Sequence, residues 1–158
     1  MREWLLPLLV MLASAAAMEA LAWAVHRYVM HGALGWGWHR SHHSVRNGWF
    51  EKNDLYAVVF AGLSLLFFTV LAARWPLLWW AGAGMGLYGL LYVFVHDGLV
   101  HQRIPFVKAP RRGYLKRLVQ AHRMHHAVRD REGAVSFGFL WAPKLERLRD
   151  ELRAGRQK

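Results

Sequence analysis

Cysteine is absent from the 158-residue sequence, which excludes disulfides and thiolate metal sites. Any metal would have to be held by nitrogen or oxygen ligands. Acidic residues are scarce, 10 against 21 lysines and arginines, and the formal net charge is +11. Charge of either sign is almost missing from three long stretches. A chain that is 55% hydrophobic yet strongly basic is foreign to soluble enzymes. It suits a small membrane protein with basic cytoplasmic parts. A nucleic-acid binder is the other reading of so basic a chain, and the apolar runs argue against it. Length predicts one domain over 1–158.

The three apolar runs are 4–25, 55–73 and 77–95. The first has 22 residues and a single charge, Glu19. At 1.5 Å per residue it crosses a bilayer core of about 30 Å. It is too long, and its leading region too poor in basic residues, for a cleaved signal peptide. The second and third runs are separated by Arg74-Trp75-Pro76 and read as a helical hairpin that crosses twice. Gly82, Gly84, Gly86 and Gly89 either permit close helix approach there or are simply tolerated in lipid. The eleven residues of 133–143 are apolar but too short to span, so a re-entrant, interfacial or short fourth segment is expected. Residues 144–153 read as an amphipathic surface helix with Leu145, Leu148 and Leu152 on one side. The predicted fold is an all-α integral membrane bundle of three clear spans.

Three spans place 26–54 and 96–158 on the same side. Of 21 basic residues only Arg2 and Arg74 fall on the other side, leaving 19 with the polar segments. The positive-inside rule therefore puts both polar segments in the cytoplasm and the N-terminus outside the bacterial inner membrane.

Those two segments hold every histidine in the chain. His26-x4-His31 is followed by His39-x2-His42-His43. The pattern returns as His96-x4-His101 and His122-x2-His125-His126. Histidines retained for packing would not sort into two identical sets. On a helix, positions i, i+3 and i+4 share a face, so His39, His42 and His43 are expected to converge, and likewise His122, His125 and His126. A separation of five turns roughly 140° on an ideal α-helix, so each His-x4-His pair requires a helix end, a bulge or two different ions. Neutral imidazole suits zinc, iron, copper and nickel. Ten ligands exceed the needs of one ion, and two ions are the economical reading. A di-iron centre that activates oxygen and a zinc pair fit the ligand number equally well.

The few acids stand in telling places. Glu19 lies in the first run seven residues before His26, and an intramembrane carboxylate reads as a partner orienting a histidine or as paired elsewhere. Asp97 adjoins His96. Glu51 and Asp54 open the second run, where a helix N-terminus favours acids in any case.

Beyond the histidines, the stretches EKNDLYAVVFA (51–61), HDGLVHQR (96–103) with Pro105-Phe106, AHRMHHAV (121–128) and EGAVSFGFL (132–140) with Ala142-Pro143 resemble the bacterial β-carotene 3-hydroxylases of the fatty acid hydroxylase/sterol desaturase superfamily. The resemblance covers roughly 18–143. It implies a membrane non-heme di-iron monooxygenase that hydroxylates β-ionone rings at C-3, taking β-carotene to β-cryptoxanthin and zeaxanthin. It also implies O2, two iron ions, and electrons from NAD(P)H through a ferredoxin and ferredoxin reductase. Matching positions carry all ten histidines over as ligands or near-ligands. A carotenoid ketolase, a fatty-acid or sterol oxidase on the same site, and a divalent-metal transporter are the alternatives. An apolar polyene is expected to enter from lipid along aromatics such as Phe67, Phe68, Tyr88, Tyr92 and Phe94. The basic residues Arg111, Arg112, Lys116, Arg117, Arg129 and Arg131 suit an acidic electron donor or anionic lipid headgroups.

Overall fold

Within a bilayer each backbone N–H and C=O must find its partner inside its own segment, so an uncharged run of this length becomes a helix. All three runs do so in the computed structural model, which describes residues 2–45 and 48–155. Arg46, Arg156 and Lys158 of the charge count lie outside them. The spans are α1 (Arg2–Ala24), α3 (Asp54–Leu66) and α4 (Leu77–Tyr92). Each continues unbroken into π-helix, over Val25–Met30, Phe67–Leu71 and Val93–Val100 respectively. The continuous apolar helices are thus Glu3–Met30, Asp54–Arg74 and Leu77–Val100, longer than the runs suggest. The added turns of the first and third carry His26 and His96. Three short helices follow the same chain order: α2 (Trp36–His39), α5 (Gly113–His125) and α6 (Leu145–Gly155). No strand occurs among the described residues.

Helix α4 is the centre of the bundle. Helices α1 and α3 each pack on it rather than on one another. Lipid supplies no hydrophobic drive between helices, so close approach and interhelical hydrogen bonds must hold them. Ser14 of α1 donates to the Ala81 carbonyl at 2.8 Å, and Ser64 of α3 donates to the Gly82 carbonyl at 2.9 Å. Gly84 lets α1 come close, since a Cβ there would stand 2.2 Å from the Met11 carbonyl oxygen. Gly89 faces open space, so only part of the glycine pattern serves packing.

Two expectations for the second half are corrected. Residues 133–143 form neither a fourth span nor a re-entrant helix. They are an irregular strap that buries Val135, Phe139 and Ala142 across the histidine-bearing end of the bundle. Non-helical backbone is tolerated there because protein rather than lipid covers it. Helix α6 is amphipathic, but its apolar face does not lie on the membrane. Leu148 is fully buried, with Leu145 and Leu152 packed into the same core as Val95, Leu99, Leu118 and Val119.

Replacing Gly84 with valine should separate α1 from α4. Overpacking of this kind costs about 1–3 kcal/mol or more. Thermal unfolding in detergent should show a clear loss for Gly84→Val and no loss for Gly89→Ala.

Candidate metal centre

Each His-x4-His pair is closed by a π-turn. A π-helix hydrogen-bonds residue i to i+5, and such turns concentrate at functional sites. Here the His31 N–H donates to the His26 carbonyl at 3.1 Å, and the His101 N–H donates to the His96 carbonyl at 2.9 Å. The paired imidazoles consequently share one side, with ring centres 5.4 Å and 4.5 Å apart. Of the devices the spacing allowed, a helical bulge is the one present.

The two histidine sets then exchange a member. One cluster joins His26, His31 and His39 with His125 from the second set. The other joins His101, His122 and His126 with His42 from the first. His43 completes the first cluster, its Nε2 lying 3.2 Å from that of His39 and 3.1 Å from that of His125. His96 completes the second, 3.0 Å from His42. The rings of His39, His42 and His43 do gather on one face, within 6.4 Å of one another, and those of His122, His125 and His126 within 5.4 Å, but neither trio stays in a single cluster. The middle imidazole of each HxxHH motif crosses to the opposite cluster because the two motifs face each other. His43 and His126 stack between the clusters at 4.6 Å.

The outer nitrogens settle what the inner ones can do. Nδ1 of His26, His31, His43 and His125 lies 2.8–2.9 Å from the carbonyl oxygens of Phe137, Arg131, Val128 and Val135. Nδ1 of His39 faces the Asn53 side-chain oxygen at 2.7 Å. Nδ1 of His42 faces Glu51 at 2.8 Å, and that of His96 faces Asp97 at 2.9 Å. Carbonyl and carboxylate oxygens only accept, so each of these Nδ1 atoms carries the proton and each Nε2 presents a bare lone pair. Bare lone pairs 3.0–3.2 Å apart are not hydrogen bonds. They fit ligands of a shared cation, because nitrogens at right angles about an ion with bonds of ~2.1 Å stand about 3.0 Å apart.

Burial keeps the imidazoles outside the spans neutral, namely His31, His39, His42, His43, His122, His125 and His126. Desolvation is the largest cause of a lowered pKa at His31, His42, His122 and His125. It lowers His43 to about 4, His126 to about 3 and His39 to about 2. Neighbouring imidazoles add repulsion, while the Val128 carbonyl and Asn53 oppose the shift. Neutral imidazole is the metal-binding form. In the unfolded chain the same groups titrate near ~6.5. On acidification the unfolded state takes up protons first, so stability falls with pH. The metal-free protein in detergent should show a flat melting temperature above about pH 7 and a steadily falling one below about 6.5. A melting temperature that rose between those values and pH 5 would contradict the neutral, buried cluster.

The fatty acid hydroxylase family model matches residues 11–148. The chain belongs to the fatty acid hydroxylase family. It is 56% identical over 145 residues to the beta-carotene hydroxylase of Paracoccus sp. (strain PC1), covering 92% of this chain and 90% of that one. It is 60% identical to the beta-carotene hydroxylase of Pantoea ananas, covering 95% of this chain and 85% of that one. With beta-carotene 3-hydroxylase 1, chloroplastic, of Arabidopsis thaliana it shares 40% identity, across 83% of this chain and 43% of the plant protein. No solved structure matches it. As a member of a hydroxylase family the chain is an enzyme, and its three apolar helices make it a membrane protein.

Around the clusters this hydroxylase carries partners that the sequence reading missed or placed differently. Glu51 orients His42 rather than merely favouring a helix start. Asp54 is gripped by Arg103 through two bonds of 2.8 Å and 2.7 Å, and it accepts the Glu51 N–H at 3.0 Å. Arg103 also reaches Asp97, the partner of His96, at 3.4 Å. One guanidinium thus steadies both acids behind the second cluster. Asp97 adjoins its partner His96, whereas nothing in the spacing pairs Glu51 with His42, nine residues away, or points to Asn53 or Arg103. Glu19 touches no histidine. Its carboxylate receives Tyr88 and the backbone N–H groups of the strap.

Between α1, α3 and α4 lies an apolar cavity of about 480 Å³. Phe68, Tyr88 and Tyr92 line it as expected, while Phe67 and Phe94 do not. Tyr92 and Phe139 are also in its lining, and their rings stack on His96 at 4.5 Å and on His26 at 5.0 Å. The cavity therefore abuts both clusters.

Arg103→Ala should weaken metal retention in the second cluster about 10–100-fold, the usual effect of removing a group that orients ligands. Metal content after chelator challenge should fall by one equivalent, with the first cluster still filled.

Proposed function

We propose that residues 1–158 act as one membrane hydroxylase domain that inserts oxygen at C-3 of β-ionone rings, converting β-carotene to β-cryptoxanthin and then zeaxanthin. The observation that carries this reading is the apolar cavity ending on rings stacked against both histidine clusters. The names of the relatives supply the substrate class.

His26, His31, His39, His43 and His125 would hold one iron ion, and His42, His96, His101, His122 and His126 a second. Bound iron would supply O2 activation, the oxidising power for an inert ring C–H that no side chain provides. Overall, the C–H bond and O2 with two electrons and two protons give the alcohol and water. The electrons come from NAD(P)H through a ferredoxin-type donor on the cytoplasmic side.

The chain's own residues do the positioning. The cavity is bounded by three helices within the membrane, so an apolar polyene enters it from lipid without crossing water. Its size takes one end of a long polyene rather than the whole molecule. Met18, Met30, Phe60 and Met85 give the end group apolar contact and exclude water. Tyr92 and Phe139 form the wall against which a ring edge meets the clusters. The concentration of basic residues in the polar segments supports a cytoplasmic placement of the clusters in the bacterial inner membrane, with the N-terminus outside.

The test is carotenoid chromatography of bacteria that make β-carotene, expressing the parent or His125→Ala. The parent should yield zeaxanthin, and the equally abundant variant should yield less by on the order of 100-fold or more. A keto product would move the reading to a ketolase. Unchanged β-carotene with well-inserted protein, in a host whose donors support a known hydroxylase, would refute the carotenoid substrate. Metal analysis of the purified protein distinguishes iron from zinc.

A further inference from the structure

Glu19 is the one acid of the spans that neither opens a helix nor faces a histidine. It lies on α1 two turns before His26, about 10 Å along the helix. A carboxylate at that depth is costly unless its lone pairs are used. All of its contacts lead to the strap and to Tyr88. Oε1 accepts the N–H groups of Phe139 at 3.0 Å, Leu140 at 3.1 Å and Trp141 at 3.0 Å. Oε2 accepts the Leu140 N–H at 3.1 Å and the Tyr88 hydroxyl at 2.8 Å. Gly138 allows the backbone to close round the carboxylate. A Cβ there would stand 2.5 Å from the Trp141 carbonyl oxygen and 2.8 Å from Glu19 Oε1.

The other end of the strap holds histidines. The carbonyl of Val135 receives His125 Nδ1, and that of Phe137 receives His26 Nδ1. Ser136 between them has a φ of 59°, and its buried hydroxyl has no partner. A residue so strained persists when its surroundings over-determine it. Here the chain is pinned on one side by Glu19 and on the other by two imidazoles. Both imidazoles belong to the first cluster. In the second, His42 and His96 lean on Glu51 and Asp97 instead.

We propose that Glu19 is a positioning residue for the first cluster alone: by anchoring the strap at 139–141 it orients His26 and His125, and so governs retention of one ion while leaving the other untouched. This inference rests on reading the clusters as a two-ion centre.

The test counts iron per chain after a fixed chelator challenge, on full-length protein purified from membranes. The parent should keep two ions and Glu19→Ala about one, a halving. Glu19→Gln, which retains one acceptor oxygen for the strap, should fall between them. Combining Glu19→Ala with His125→Ala should remove no more than either change alone, because both act on the same ion. Combining it with Glu51→Ala should remove both ions. Full retention in Glu19→Ala, simultaneous loss of both ions from it, or additive loss with His125→Ala would each overturn the proposal. If Glu19→Ala does not insert, Tyr88→Phe and Glu19→Gln carry the same comparison, with graded loss from the first cluster expected and undiminished retention overturning it. A parent that holds fewer than two ions would overturn the two-ion reading itself and this inference with it.

Discussion

An imidazole has two nitrogens, and the fold depends on where the outer one is tied. Among the described residues, seven histidines present Nδ1 to an oxygen that can only accept. That choice turns every corresponding Nε2 inward as a bare lone pair. Lone pairs brought to 3 Å in a dry interior repel, so the arrangement is sensible only as a receptor for cations. Burial completes the design by disfavouring protonation, the event that would otherwise neutralise the receptor. The remaining architecture supplies acceptors: a strap of backbone carbonyls over the first cluster, and carboxylates steadied by Arg103 behind the second.

The bundle has two faces with different duties. On the lipid side, α1 and α3 flank α4 without packing on each other, and the space between them becomes the apolar cavity. On the other side, α5, α6 and the strap close over the histidines with their own small core. Tyr92 and Phe139 stand at the boundary, touching apolar cavity on one face and imidazole on the other. Glu19 belongs to both regions, since Tyr88 lines the cavity and the strap holds the cluster.

Much of this was legible in the residues. The three spans follow from runs of apolar residues that lipid forces into helices, and a search for ligands ends quickly in a chain without cysteine whose histidines repeat one pattern. The spacing His-x4-His even exposed its own misfit with an α-helix, which the π-turns at His26 and His96 resolve. Asp97 stands beside His96 in sequence, while Glu51 is nine residues from His42 and meets it only in the fold. Helix α6 and residues 133–143 were misjudged because apolar residues that pack on protein look the same in a sequence as those that lie in lipid. Of the two readings of Glu19, pairing away from the histidines is the one found, and its partners could not be named from the sequence because, Tyr88 apart, they are backbone amides and amides carry no residue identity.

By itself, then, the sequence determined that this is a three-span helical membrane protein with two histidine-rich segments on one side. These are consequences of composition and local periodicity, and they need no knowledge of what meets what. Which histidines share a cluster was decided only in three dimensions. His42 and His125 leave their own motifs because the π-turned ends of α1 and α4 and the end of α5 bring the two HxxHH turns face to face, and a side chain takes the nearest complementary centre rather than the nearest in sequence. The same holds for the carbonyls of Val135 and Phe137: their role comes from a strap bent at Ser136 and anchored 120 residues away on Glu19.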